Sequence, residues 1–116
     1  MAKIKAIFMG NPKFSLPSLE VFYQHQNIEL IGVCGSPDRP VGRGKVITSP
    51  ETVKFAKKNN IPYFQSENIN KDEDFQQFAQ NNNIDLIIVL AFSHFLGKKI
   101  LSLPKYGCYN IHTSLL

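Results

Sequence analysis

An α/β fold built on a doubly wound, mostly parallel sheet is the class this sequence predicts, and three observations carry the prediction. Short β-type apolar runs alternate with segments of helical period along the whole chain. One run, Asp85 to Phe92, is almost continuously apolar, as a central strand covered on both faces should be. At 116 residues, with 43% hydrophobic and 19% charged residues, the chain has the size and composition of one soluble domain with a single core.

Ile4 to Met9 is a strand that stops at the breaker cluster Gly10-Asn11-Pro12. Helical spacing begins at Ser15: Leu16, Leu19, Phe22 and Tyr23 recur on one face, Pro17 suits the first turn, and Gln24-His25-Gln26-Asn27 ends the pattern. Ile28 to Cys34 is a second strand, and Gly35 to Lys45 a loop dense in glycine, proline and arginine. Ser49-Pro50 reads as N-cap and first-turn proline of a helix through Lys58, which Asn59-Asn60 and Pro62 stop. Tyr63-Phe64 is a brief strand. Asn70 is the expected cap of a third helix, with Asp72 and Glu73 in its first turn, Phe75, Phe78 and Ala79 on its inner face, and Asn81-Asn82-Asn83 as its stop. A short helix over Phe95 to Leu103, ended by Pro104, and a last strand over Cys108 to Thr113 complete the alternation. Right-handed crossovers between parallel strands then favour the order 3-2-1-4-5.

The longest apolar run, Leu86 to Phe92, is far short of the roughly 20 residues that span a bilayer. No cleavage or transit pattern marks the N-terminus, so a cytoplasmic protein without a membrane segment is expected. Cys34 and Cys108 lie in strands without metal-ligand or Cys-x-x-Cys spacing and read as reduced core thiols. His25, His94 and His112 are widely separated, with no Cys or carboxylate at ligand spacing, which disfavours a metal. The net charge of +4 is mild and dispersed, a weak pointer to an anionic partner. The turn Gly10-Asn11-Pro12-Lys13-Phe14 lacks the second and third glycines of a dinucleotide fold, and Gly44-Lys45 is followed by Val46 instead of Ser or Thr. NAD and nucleoside triphosphates are therefore disfavoured.

Two constellations carry chemistry. Strand alternation puts Cys108, Asn110, His112 and Ser114 on one face and Tyr109, Ile111 and Thr113 on the other. Asn110 and His112 thus point together at a strand's carboxyl end, where open α/β sheets bind ligands. The plainer reading makes this an edge strand, with Asn110 satisfied by backbone groups and His112 in water. The functional reading is attack on a carbonyl: an Asn amide donates to a developing oxyanion, and an imidazole either stabilises it when protonated or accepts the amine's proton when neutral. The second constellation is Gly35 to Lys45, whose prolines restrict the loop and whose Arg39, Arg43 and Lys45 can meet phosphates. A solvated turn is the plainer reading there. His25 and His94 are assigned no role, and Phe75 and Phe78 are core.

Phe8-Met9-Gly10-Asn11-Pro12-Lys13-Phe14, Pro37-Asp38-Arg39-Pro40-Val41-Gly42-Arg43-Gly44-Lys45 and Gly107-Cys108-Tyr109-Asn110-Ile111-His112-Thr113-Ser114-Leu115-Leu116, in this order and spacing, resemble the methionyl-tRNA formyltransferase family over the whole chain. The last motif is common to folate-dependent formyltransferases; the proline-arginine loop is typical of the tRNA enzymes. The resemblance implies a Rossmann-like fold and transfer of a formyl group from 10-formyltetrahydrofolate, without a metal, to the amino group of methionine on initiator tRNA. It implies Asn110 and His112 as two members of a catalytic Asn-His-Asp set, and Arg43, assisted by Arg39 and Lys45, as the contact to the tRNA acceptor end. Residues near Ala91 to Leu96, with Ala91, Phe92 and Ser93 foremost, and Ser114, Leu115 and Leu116 would belong to the folate pocket. Asn11 stands where the family usually has Thr, and Phe92-Ser93 where it often has Tyr-Gly or Phe-Gly, the second bearing on the folate contact.

Family members continue beyond Ser-Leu-Leu to the catalytic Asp, more sheet and a C-terminal barrel. Residues 1–116 are therefore expected to be the N-terminal part of the catalytic domain, inactive alone and with an open sheet edge that invites association. The competing expectations are a formyltransferase acting on a small amine, such as glycinamide ribonucleotide or an amino sugar, and a non-catalytic tRNA-binding remnant.

Overall fold

Ile7, Phe8 and Met9 are all fully buried although neighbours along a strand point to opposite faces, so β1 (Ile4–Gly10) has protein on both sides. The computed structural model describes residues 2–92 and 94–111. β1 is the centre of a five-stranded sheet. On one side lie β2 (Ile28–Gly35) and then β5 (Tyr63–Gln65), on the other β6 (Leu86–Leu90) and then β7 (Cys108–Asn110), and every pairing is parallel. Counted along this sheet the order is 3-2-1-4-5, as the sequence predicts.

Ile7 and Met9 join Cys34, Ile87 and Val89 beneath Phe75 and Ala79 of α3 (Glu73–Asn81) and Ile100 of α4 (Lys98–Leu101). Phe8 faces the other way with Val33, Ile88 and Leu90, under Leu19 of α1 (Leu16–Gln24) and Ala56 of α2 (Glu51–Lys58). Helices thus cover both faces, and each large side chain so buried contributes about 1.5–3 kcal/mol. The asparagine stops work through backbone geometry: Asn60 and Asn83 take left-handed φ values of 57° and 50°. The next amides, of Ile61 and Ile84, return to Ala56 O and Ala79 O at 2.9 and 3.4 Å, closing each helix while burying an isoleucine.

Local signals misplace several boundaries. The segment read as a loop over Gly35 to Lys45 supplies the first strand and the turn of a β-hairpin, β3 (Arg39–Val41) paired antiparallel with β4 (Val46–Thr48) around a turn that includes Gly42 at φ 73° and Lys45 at φ 53°. Three-residue strands are too short to display a period. Asp72, not Asn70, caps α3, accepting Phe75 N–H at 2.9 Å, while Asn68 caps a preceding 3-10 turn at Ile69–Lys71. Pro50 occupies the cap position of α2, because the Ser49 hydroxyl donates to Asp38 instead. α4 is confined to Lys98–Leu101 within the expected Phe95 to Leu103, and β6 ends at Leu90 because Ala91 turns to φ 51°. Both cysteines are free, Cys34 in the core and Cys108 half-buried at its margin. Among the described residues, no helix is long and apolar enough to cross a membrane.

Candidate active site

The carboxyl ends of β1, β2, β6 and β7 share one rim of the sheet, the place where an open α/β fold offers a ligand crevice. Gly10 ends β1 so close to β6 that a Cβ there would lie 2.6 Å from Leu90 O, so only glycine fits. Thr52 Oγ1 donates to Gly10 O at 2.5 Å, and Ser36 N–H donates to Asn11 Oδ1 at 2.6 Å. The turn after β1 is thereby tied to α2 and to the end of β2. Asn11, one of the departures from the resembled family, has a structural partner of its own.

Two hollows adjoin across the end of β6. The first, of about 390 Å³, is lined by Asn11, Pro37, Arg39, Val41, Pro50 and Ala91 among others, and its prolines make the wall rigid and apolar. The second, of about 310 Å³, includes Phe92, His94, Leu96, Leu101, Cys108 and Asn110. β7 pairs Cys108 with Ile87 and Asn110 with Val89, so both side chains lie on the sheet face that α3 and α4 cover. Cys108 packs at the core margin, whereas Asn110, beyond the last covering residue, is exposed at the rim. The Ile111 amide donates to Val89 O at 2.8 Å and secures the strand end beneath it.

Of the residues expected at the site, Ala91 lines the first hollow with Arg39, and Phe92 lines the second with Asn110. Arg43 and Lys45 sit at the exposed hairpin tip, in the turn between β3 and β4. Ser93, His112, Ser114, Leu115 and Leu116 lie outside the described residues. The hairpin base is fastened by Asp38, whose Oδ1 accepts from Ser49 Oγ and from Gln65 Nε2, both at 2.6 Å, while Lys57 Nζ donates to Ser49 Oγ at 3.1 Å. The hydrogen bond from Ser49, then that from Gln65, holds the Asp38 carboxyl below its usual range.

His94 is the residue that sequence reasoning passed over. Its ring meets Phe92 edge-on with centroids 4.6 Å apart, and its Nδ1 accepts from Ile69 N–H at 3.3 Å. Burial lowers its pKa; Glu67 works against that shift and Arg39 with it. Its position just past the carboxyl end of β6 is the signal that marks it. Burial raises the thiols of Cys108 and, far more, Cys34, which keeps both protonated and unsuited to nucleophilic attack. Among the described residues, no three His, Cys, Asp or Glu side chains converge as a metal site would require. What the rim does offer is an exposed amide donor beside an aromatic and aliphatic hollow, a pairing suited to orienting a flat ligand next to a developing oxyanion.

Similarity to known proteins bears on the same region. The chain is 41% identical over 113 residues to a methionyl-tRNA formyltransferase of Clostridium novyi (strain NT), covering 97% of the chain and 36% of that protein. The methionyl-tRNA formyltransferase of Syntrophus aciditrophicus (strain SB) is 42% identical over 116 residues, covering 100% and 36%. The chain thus spans about a third of the length of these relatives. A crystal structure of phosphoribosylglycinamide formyltransferase from Anaplasma phagocytophilum superposes with a TM-score of 0.67 at 17% identity, over 100% of this chain and 52% of that one, which speaks to the fold alone. The sequence profile described as Formyl transferase matches residues 3–116, from the start of the central strand through the strand that bears Asn110, and with these identities it places the chain in the formyl transferase family.

Proposed function

We propose that the chain is the N-terminal part of a catalytic domain that moves a formyl group from 10-formyltetrahydrofolate to the amino group of methionyl-initiator-tRNA in the cytoplasm. The observation that carries this reading is the exposed Asn110 amide beside the Phe92–His94–Leu96 hollow at the sheet's carboxyl rim, in a chain of this family. The donor's ring system would lie in that hollow against Phe92, and the resemblance assigns Ala91, Ser93, Ser114, Leu115 and Leu116 to the same donor. The acceptor end approaches from the hairpin, where Arg39, Arg43 and Lys45 meet phosphates.

In the transfer, the methionyl amine attacks the formyl carbon, a new C–N bond forms, and the bond from that carbon to N10 of the folate breaks. Between these events the formyl oxygen carries negative charge, and the Asn110 amide donates to it. His112 either adds a second, cationic stabiliser or accepts the proton that the amine sheds, while N10 gains a proton as it leaves. The chain spans about a third of its relatives' length, and the catalytic aspartate that the resemblance implies is assigned to the remainder, so these 116 residues alone should show no turnover.

Formylation assayed in a protein that carries this chain within its relatives' full length tests the reading. Asn110→Ala should lower kcat by about 10²–10³, the loss typical of one oxyanion donor. An unchanged rate would sink the assignment, as would substantial turnover by the 116-residue chain. The relatives' names favour tRNA over a small amine as acceptor; formylation of glycinamide ribonucleotide or an amino sugar in preference to methionyl-tRNA would reverse that choice. Salt-sensitive tRNA binding without any turnover in the longer protein would mark a non-catalytic remnant instead.

A further inference from the structure

Between β6 and α4, Phe92 and the segment from His94 to Gly97 belong to no strand or α-helix, and Phe92, His94, Phe95 and Leu96 line the second hollow, so the polar groups of this backbone must be satisfied from elsewhere. Asn70 supplies the partner. Its Nδ2 donates to Phe95 O at 2.6 Å and its Oδ1 accepts Gly97 N–H at 2.7 Å, so one side-chain amide grips both ends of a three-residue stretch as a neighbouring strand would. Asn70 is itself anchored: its carbonyl accepts from Nε2 of Gln76, which is only 5% exposed, at 3.0 Å, and its N–H donates to Asn68 Oδ1 at 3.0 Å. A second tie runs in parallel, from Ile69 N–H to His94 Nδ1. A Cβ at 97 would lie 3.1 Å from Asn70 Oδ1, a tight contact that would press on the clamp. Gly97 also opens α4, whose Ile100 is buried in the core and whose Leu101 lines the hollow. Leu96 and Leu101, facing the hollow that Asn110 shares, therefore depend on where Asn70 holds the chain.

We propose that Asn70 is a positioning residue for the Asn110 hollow: without touching a ligand, its amide sets the wall against which the folate donor's ring would pack. The identity of the occupant rests on the function proposed above; the clamp does not. Amide hydrogen exchange in this chain reads the clamp directly. Asn70→Ala should speed exchange at Gly97 by about tenfold or more while leaving the β1 amides unchanged, because only the local hydrogen bond is lost. Asn70→Asp keeps an acceptor for Gly97 N–H but cannot donate to Phe95 O, and should fall between. Were Asn70→Ala to lose β1 protection as well, Asn70→Asp would carry the same comparison in a folded chain. Unchanged Gly97 exchange in the folded variants overturns the proposal.

Steady-state formylation in the longer protein supplies the second readout. Asn70→Ala should raise KM for 10-formyltetrahydrofolate about tenfold, with kcat within about threefold and KM for tRNA unmoved, the pattern of a lost binding wall. Faster Gly97 exchange with an unaltered donor KM would show that the clamp does not shape the donor site, and would overturn the positioning role. If Asn110→Ala leaves formylation intact, the proposed function fails, and Gly97 exchange still decides whether Asn70 orders this wall.

Discussion

Ala91 holds φ at 51° on the rim between the two hollows, a conformation that places an alanine Cβ against its own backbone. The turn redirects the chain from β6 into the wall that carries Phe92 and His94. Relief of the Cβ penalty outweighs the greater unfolded-chain entropy of glycine, so Ala91→Gly should stabilise the chain by about 0.5–1 kcal/mol in thermal or denaturant unfolding. A loss of stability would show that Ala91 makes side-chain contacts worth more than its strain. His94 adds a pH dependence. Because burial, with Arg39, lowers its pKa in the folded chain, the unfolded chain binds the proton more readily. That contribution is complete above the ordinary histidine value of about 6.5 and is lost as pH falls through the lower folded value. The melting temperature should therefore drop on acidification from pH ~7.5 to ~5.5, more steeply than in His94→Gln. Equal slopes in the two proteins would contradict the assignment. The depressed Asp38 carboxyl acts in a separate, more acidic window, losing its contribution only below the usual carboxylate range of about 3.9.

At the scale of elements, caps and clasps decide where the functional segments lie. Asp72 both caps α3 through Phe75 N–H and accepts the Ser66 hydroxyl, tying the helix start to the segment after β5. Asp72→Ala should cost about 1 kcal/mol and appear as a lower melting temperature, whereas an unchanged melt would mean that the first turn of α3 is capped from elsewhere. The hairpin is an element of a different kind. Val41, Val46 and Ile47 are all more than half exposed, so its own packing holds it little, and its orientation depends on the Asp38, Ser49 and Gln65 clasp at its base. The asparagines that read as helix stops, Asn60 and Asn83, do so for a local reason, since their short polar side chains tolerate the left-handed turn that the buried isoleucines after them require.

For the molecule as a whole, β1 at the centre and the pair of hollows at its carboxyl rim bring the cationic hairpin to one side of the proposed donor site and β7 to the other. A tRNA reaching that rim from the hairpin side loses counterions wherever a cation meets a phosphate. Arg43→Ala should weaken tRNA binding and flatten the slope of log K against log salt by about 0.7–0.9, one phosphate contact's share. Salt titration of tRNA binding checks this, and an unaltered slope would remove Arg43 from the interface. Arg39, in β3, adds a small lowering of the His94 pKa to the larger effect of burial.

The α/β class, the strand order and the helix stops were legible in the residues, because side-chain period and asparagine or proline breakers are properties of adjacent positions; the near-continuous apolar run marked β6 as an interior strand, but the centre of the sheet is β1. So was the shared face of Cys108 and Asn110, which follows from strand alternation alone. Only the tertiary structure decided that Arg39 to Thr48 pairs as a hairpin, that Asp72 takes the cap expected of Asn70, and that His94 joins Asn110 in one hollow. These outcomes depend on partners far apart in the chain. The Asn70 amide is committed to Gly97, 27 residues away, and Ser49 to Asp38, 11 away, and no local pattern announces which distant group will claim a side chain's hydrogen bond.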